Sequence, residues 1–135
     1  MNEQVNADPS VFDDVQYVSL TTFRKSGVGV PTAVWIARDG DQLVVTTVDR
    51  TGKVKRLANN PTVDLRPCDM RGNVVDGAPT YSGTAQVVRD ATEVAAVKKA
   101  IARKYPSARV GDAANKVTFG LLQRSPRAGI RITLT

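Results

Sequence analysis

The chain has 135 residues and 14.5 kDa, close to the modal size of one domain, which excludes a two-domain organisation and predicts a single unit over residues 1–135. Ordinary globular material is present (41% hydrophobic, 24% charged), the lone Cys68 excludes an internal disulfide, and the absence of histidine removes the commonest general base, the Ser-His and Cys-His nucleophile pairs and the commonest transition-metal ligand. Residues 1–15 form an acidic segment (Glu3, Asp8, Asp13, Asp14) without a cation, so all 19 Lys and Arg stand in the rest of the chain against nine carboxylates and predict a basic body that attracts something anionic.

The 20 Val, 13 Thr and 4 Ile favour strands over most of the length. A short segment opens at Pro9-Ser10, where Ser10 and Asp13 have capping-box spacing, and Gln16–Phe23 reads as the first strand, ended by the turn Arg24-Lys25-Ser26-Gly27. A second strand over Val30–Ala37 is joined to a third over Gln42–Val48 by Arg38-Asp39-Gly40-Asp41, whose Asp-Gly pair is a hairpin signal. The period then changes: Val54, Leu57 and Ala58 predict a two-turn helix over Lys53–Asn60, stopped by Pro61. Alternation returns in Thr62–Cys68, a turn-rich loop follows over Met70–Pro79, and a strand is predicted near Tyr81–Val88. Thr92–Tyr105 is the clearest helix, with Asp90 and Glu93 at capping-box spacing, an apolar stripe of Val94, Val97, Ile101 and Tyr105, and Pro106 as its stop. Val117–Gln123 and Ile130–Leu134 close the chain as strands around a turn over Ser125–Gly129. Six or seven strands with two helices predict a mainly β domain, a barrel with helices plugging its gaps, with a β-sandwich as the competing architecture.

The densest run of candidate functional residues is Thr46-Thr47-Val48-Asp49-Arg50-Thr51-Gly52-Lys53-Val54-Lys55-Arg56. It sets hydroxyls at a strand end, a glycine at the loop-to-helix junction and three cations in the first turns of a helix. Free amides at a helix start, with Lys and Thr, form a phosphate cradle. Cations placed near the positive end of the helix dipole are locally unfavourable, which points to a missing anion; the bland alternative is a solvated basic face. The pattern is not a Walker loop. Trp35, the single tryptophan, reads on its own as a core aromatic, and Cys68 as a small buried residue that no histidine can activate. Lys98, Lys99, Arg103 and Lys104 read as the exposed face of the long helix. Lys98, Lys99 and Arg103, with Arg109, define an alternative nucleic-acid-binding reading, which an aromatic content of 5% supports poorly. With no histidine and one cysteine, no metal site is expected, and difficult chemistry falls to an organic cofactor. A polar start and no apolar run of membrane length predict a cytoplasmic protein.

In order and spacing, Tyr17-Val18-Ser19-Leu20-Thr21-Thr22-Phe23-Arg24, Gly29-Val30-Pro31-Thr32-Ala33-Val34-Trp35, Asp39-Gly40-Asp41 and Gly52-Lys53-Val54-Lys55-Arg56-Leu57 with Asn60-Pro61 resemble one family. It is the flavin and deazaflavin oxidoreductases of pyridoxamine-phosphate-oxidase-like fold, in particular the group that uses coenzyme F420. The likeness runs from Tyr17 to about Val88, and more loosely through the later helix and final strand. It implies a split β-barrel of FMN-binding-like fold, a homodimer with the cofactor at the subunit interface, and F420 as that cofactor with FMN as the alternative. The cofactor phosphate then falls on Thr46, Thr47, Thr51, Gly52, Lys53, Lys55 and Arg56, while Thr32, Val34, Trp35 and Ile36 face or flank the ring. The implied activity is hydride transfer from reduced deazaflavin to a conjugated small-molecule acceptor such as a biliverdin-like tetrapyrrole, a quinone or an enone. Arg50 and Arg71 are the loop cations expected to stabilise charge on that acceptor, and a non-catalytic F420 carrier is the alternative role.

Overall fold

The computed structural model describes residues 8–105 and 127–135, and the predicted strand Val117–Gln123, the helix stop Pro106 and Arg109 lie outside them. Seven strands form one antiparallel sheet: β1 (Tyr17–Phe23), β2 (Gly29–Trp35), β3 (Ala37–Asp39), β4 (Gln42–Val48), β5 (Thr62–Cys68), β6 (Tyr81–Val88) and β7 (Arg127–Leu134). Two helices accompany them, α1 (Gly52–Asn59) and α2 (Ala91–Lys104). The strand order is β2-β1-β5-β6-β7-β4-β3. A single curled sheet replaces the sandwich alternative.

β2 and β3 are consecutive in the chain yet occupy opposite ends of that order. One residue, Ile36, joins them, so the sheet curls until its two edges approach and leaves a split where the barrel does not close. The single strand expected over Val30–Ala37 is therefore two strands, β2 paired to β1 and β3 paired to β4. Side chains stand in for ladder partners at the crossing: the Ile36 amide donates to Tyr105 Oη (3.2 Å), and its carbonyl accepts from Lys104 Nζ (2.8 Å).

Alternation packs the barrel interior with Val18, Leu20, Leu43, Val45, Val63, Leu65, Ile130 and Ile132, all buried. Phe12 plugs this core edge-on to Tyr81, with ring centroids 5.0 Å apart. Val44, between Leu43 and Val45, faces outward onto Val97, Ala100 and Ile101 of α2, which explains an unbroken apolar run in a strand covered on both sides. Gly129 makes that contact close: a β-carbon there would lie 2.9 Å from Val97 Cγ2 and 3.0 Å from Val88 Cγ2.

Three further local expectations are corrected. Asp8, and not Ser10, caps the opening 3-10 turn Pro9–Phe12, accepting from the Ser10 amide at 2.9 Å. Arg127, Ala128 and Gly129, assigned to a turn, belong to β7 and pair with Val48, Thr47 and Thr46. Lys104 is not on an exposed face. It stands three residues after Ile101, on the apolar side of α2, and its ammonium donates to the carbonyls of Phe12 (2.8 Å), Val15 (2.7 Å) and Ile36 (2.8 Å). All three protons are used, so the ammonium ties the chain start, the strand crossing and the helix end together.

Candidate functional site at the barrel split

A groove of about 370 Å³ opens between β2 and the end of β4, along the split. Its apolar wall is Ala33, Val34 and Trp35 of β2 with Ile101 of α2, and its polar wall is Thr46 and Thr47, Thr51, Lys53 and Arg127, with Val48 between them. Strand pairing builds the polar wall, since β7 runs beside β4 and sets Arg127 opposite Val48. Trp35 stacks on Tyr105 with ring centroids 4.4 Å apart and planes 1° from parallel. The Tyr105 hydroxyl, 2.6 Å from the Gln16 carbonyl and 2.9 Å from that of Ile36, anchors the pair. A flat, half-buried aromatic wall results.

The start of α1 is chemically incomplete. Thr51 is its N-cap, but the Thr51 side chain makes no capping bond, and Oγ1 is buried without a partner among the described residues. No acid stands in the first turn. Burial, and then Arg56, hold the Lys53 ammonium below the ordinary lysine value of 10.5, and among the described residues Lys53 has no carboxylate partner. The start of a helix, a buried hydroxyl without a partner and a lysine without a carboxylate, all among the described residues, border one groove, an arrangement that can receive an anion.

Six of the residues singled out from sequence line this groove: Val34, Trp35, Thr46, Thr47, Thr51 and Lys53. The others do not. Ile36 is buried in the core, and both of its backbone polar groups are taken by Tyr105 and Lys104. Arg56 donates from Nε to Thr22 Oγ1 at 2.6 Å and lays its guanidinium over Gly52, where a β-carbon would meet Nη1 at 2.6 Å. Lys55 is exposed, and Thr32 is half-buried on β2 outside the lining. Arg50 is exposed in the β4–α1 turn with φ 67°, and Arg71 lies in the β5–β6 loop with its amide on Asp69 Oδ1 at 2.9 Å. Sequence reasoning carried Ala33 and Val48 only within longer runs and missed Ile101 and Arg127 as groove residues. Ile101 was readable only as part of a core stripe, and Arg127 only through a strand register that no local pattern announces.

A seven-stranded antiparallel half-barrel, split beside an anion-ready helix start, defines the class of split-barrel folds. The family profile described as pyridoxamine 5'-phosphate oxidase matches residues 9–132, and the chain belongs to that family. Solved structures agree on the fold. A conserved hypothetical protein of Mycobacterium tuberculosis is 19% identical with TM-score 0.67, over 99% of this chain and 86% of that one. A protein described as an F420 reductase is 20% identical with TM-score 0.60, over 98% and 96%. The heme storage protein HutZ of Vibrio cholerae is 16% identical with TM-score 0.62, over 97% and 92%. Among curated proteins there is no match.

Proposed function

We propose that this chain binds coenzyme F420 in the groove and uses it to reduce a conjugated, mostly apolar small molecule, with a homodimer as the working unit. The observation that carries the reading is the buried, unpartnered Thr51 hydroxyl at the uncapped start of α1, in a groove shared with Lys53 and Arg127. An anionic phosphate fits there: Thr51 and the first α1 amides donate to it, and Lys53 neutralises it. Val34, Trp35 and Ile101 offer the apolar wall that a flat ring needs. FMN shares the phosphate, but the basic body, 19 cations against nine carboxylates beyond residue 15, suits the additional oligoglutamate tail of F420.

When bound, reduced deazaflavin supplies a hydride from its C5. The chain contributes position and charge. Solvent is the proposed source of the proton that completes acceptor reduction. Of the two loop arginines, Arg71 is assigned to the acceptor side, because its loop reaches the groove's edge where Gly72 lies against Ala33.

Titration with F420 and with FMN, read by quenching of Trp35 fluorescence, tests cofactor choice. F420 is expected to bind more tightly, and Lys53→Ala to lose roughly 10- to 100-fold in affinity, matching about 1.5–3 kcal/mol for a hydrogen bond to a charged group. Tighter FMN binding overturns the choice of F420. Single-turnover mixing of the F420-reduced protein with biliverdin, menadione and a cyclic enone tests the activity. If none is reduced faster than in free solution, the protein is a carrier and not a reductase. Light scattering at micromolar concentration tests the dimer.

A further inference from the structure

Asp49 is the residue that the anion-site reading does not absorb. A carboxylate two residues before Thr51 repels an anion held at the start of α1, so on charge alone it weakens the site it borders. Its geometry gives it a different task. Oδ2 lies 2.7 Å from Arg89 Nε and Oδ1 lies 3.1 Å from Arg89 Nη2, a two-point clasp, and Oδ1 also accepts from the Arg50 amide at 2.8 Å. The clasp ties the β4–α1 turn to the end of β6, the strand that pairs with β7 and so with the wall carrying Arg127. Within the turn, Arg50 holds φ 67°, the one left-handed non-glycine among the described residues and a conformation that a β-carbon resists. The Asp49 side chain is 13% exposed and that of Arg89 58%, so the carboxylate is the sheltered, fixed partner. Its acidity agrees: the Arg89 hydrogen bond, then the Arg50 amide, hold it below the ordinary aspartate value.

We propose that Asp49 is a positioning residue for the anion site, clasped by Arg89 so that it holds the left-handed Arg50 turn and thereby aims the Thr51 hydroxyl and the first amides of α1 into the groove. This rests on the reading of the groove as an anion cradle. The bland alternative, a surface ion pair of little consequence, predicts no loss of binding, or a slight gain from the removed charge.

The test titrates the full chain with F420 and with FMN, reading Trp35 fluorescence at two salt concentrations, for wild type, Lys53→Ala, Asp49→Asn, Asp49→Glu and Asp49→Asn with Arg50→Gly. Positioning predicts that Asp49→Asn weakens binding roughly five- to tenfold, the scale of one misplaced hydrogen bond, although it removes a repelling charge. Asp49→Glu keeps the charge, lengthens the arm and is expected to weaken binding similarly. Arg50→Gly is expected to restore affinity in the Asp49→Asn background, because glycine adopts a positive φ without help. Thermal melts of the same variants keep folding apart from positioning: Asp49→Asn is expected to stay fully folded at the titration temperature, so its weaker binding is not a loss of folded protein. Equal or tighter binding by Asp49→Asn, with Asp49→Glu unchanged, overturns this inference while wild-type binding and a weakened Lys53→Ala leave the cradle standing. Failure of wild type to bind either coenzyme overturns the cradle and this inference together.

Discussion

The two helices of this small barrel start in opposite ways. α2 begins at Asp90, whose carboxylate accepts from the amides of Thr92 (3.1 Å) and Glu93 (3.3 Å), carries Glu93 in its first turn and ends on Arg103 and Lys104. Its dipole is compensated at both ends by its own sequence. α1 begins at Thr51 without a capping bond, has no acid in its first turn and places Lys53 where the dipole is already positive. Both are amphipathic and both pack on the same sheet, so packing does not explain the difference. α2 is completed from within; α1 is left incomplete beside the groove, where the proposed anion would complete it.

The largest effect is expected at the finished helix. Lys104→Ala removes three charge-assisted hydrogen bonds: the Val15 carbonyl loses its ammonium donor outright, while those of Phe12 and Ile36 keep the Val15 amide and the Tyr105 hydroxyl, and hydrogen bonds to a charged group contribute about 1.5–3 kcal/mol each before relaxation and water access reduce the sum. A net loss of about 3 kcal/mol, or on the order of 10 °C in melting temperature, is expected in a thermal melt. A variant that melts with wild type breaks the picture of α2 as the internally secured helix.

That lysine also marks where sequence reading stops. β4 and its Asp39-Gly40 turn, α1 with Pro61 behind it, and α2 behind Asp90 were legible because their signals are local: a period, a cap, a breaker. Thr46, Thr47, Thr51 and Lys53 were legible as a candidate cluster for the same reason, lying within eight consecutive residues that share one strand end and one helix start, and they line one groove. The break at Ile36 was not, because its hydrogen-bond partners arrive from residues 68 and 69 positions away. Lys104 was misread because a charged side chain implies solvent until the carbonyls that receive it are known. Arg127 joins the groove only through a register set by the whole sheet.

Next in size is a paired truncation that sets the two caps against each other. Asp90→Ala loses an existing cap and is expected to cost about 1 kcal/mol of stability in denaturant unfolding, with coenzyme affinity unchanged. Thr51→Ala has no cap bond to lose and removes a buried hydroxyl without a partner, so stability stays level or rises slightly. Its expected loss is in coenzyme affinity, about 1 kcal/mol or roughly fivefold. The two variants are predicted to separate stability from binding in opposite directions. Equal losses of stability would mean that Thr51 caps α1 like any other threonine.

The smallest effect is a displacement along the pH axis. Burial, followed by Arg56, holds the Lys53 ammonium below 10.5, so its folded value lies beneath its unfolded one. Through the window between those two values the unfolded chain binds more protons than the folded chain, and stability therefore rises with pH as the cost of the buried charge is relieved. Anion binding has the opposite slope, since it needs the ammonium that the rising pH removes. Coenzyme affinity is thus expected to decline with pH before an ordinary lysine would titrate. Lys53→Arg, whose guanidinium does not deprotonate in this range, is expected to hold its affinity to higher pH at a similar neutral-pH value. Quenching titrations from pH 7 upward on both proteins read the difference. Parallel curves would show that Lys53 is not the charge that meets the anion, and α1 would lose the feature that most distinguishes it from α2.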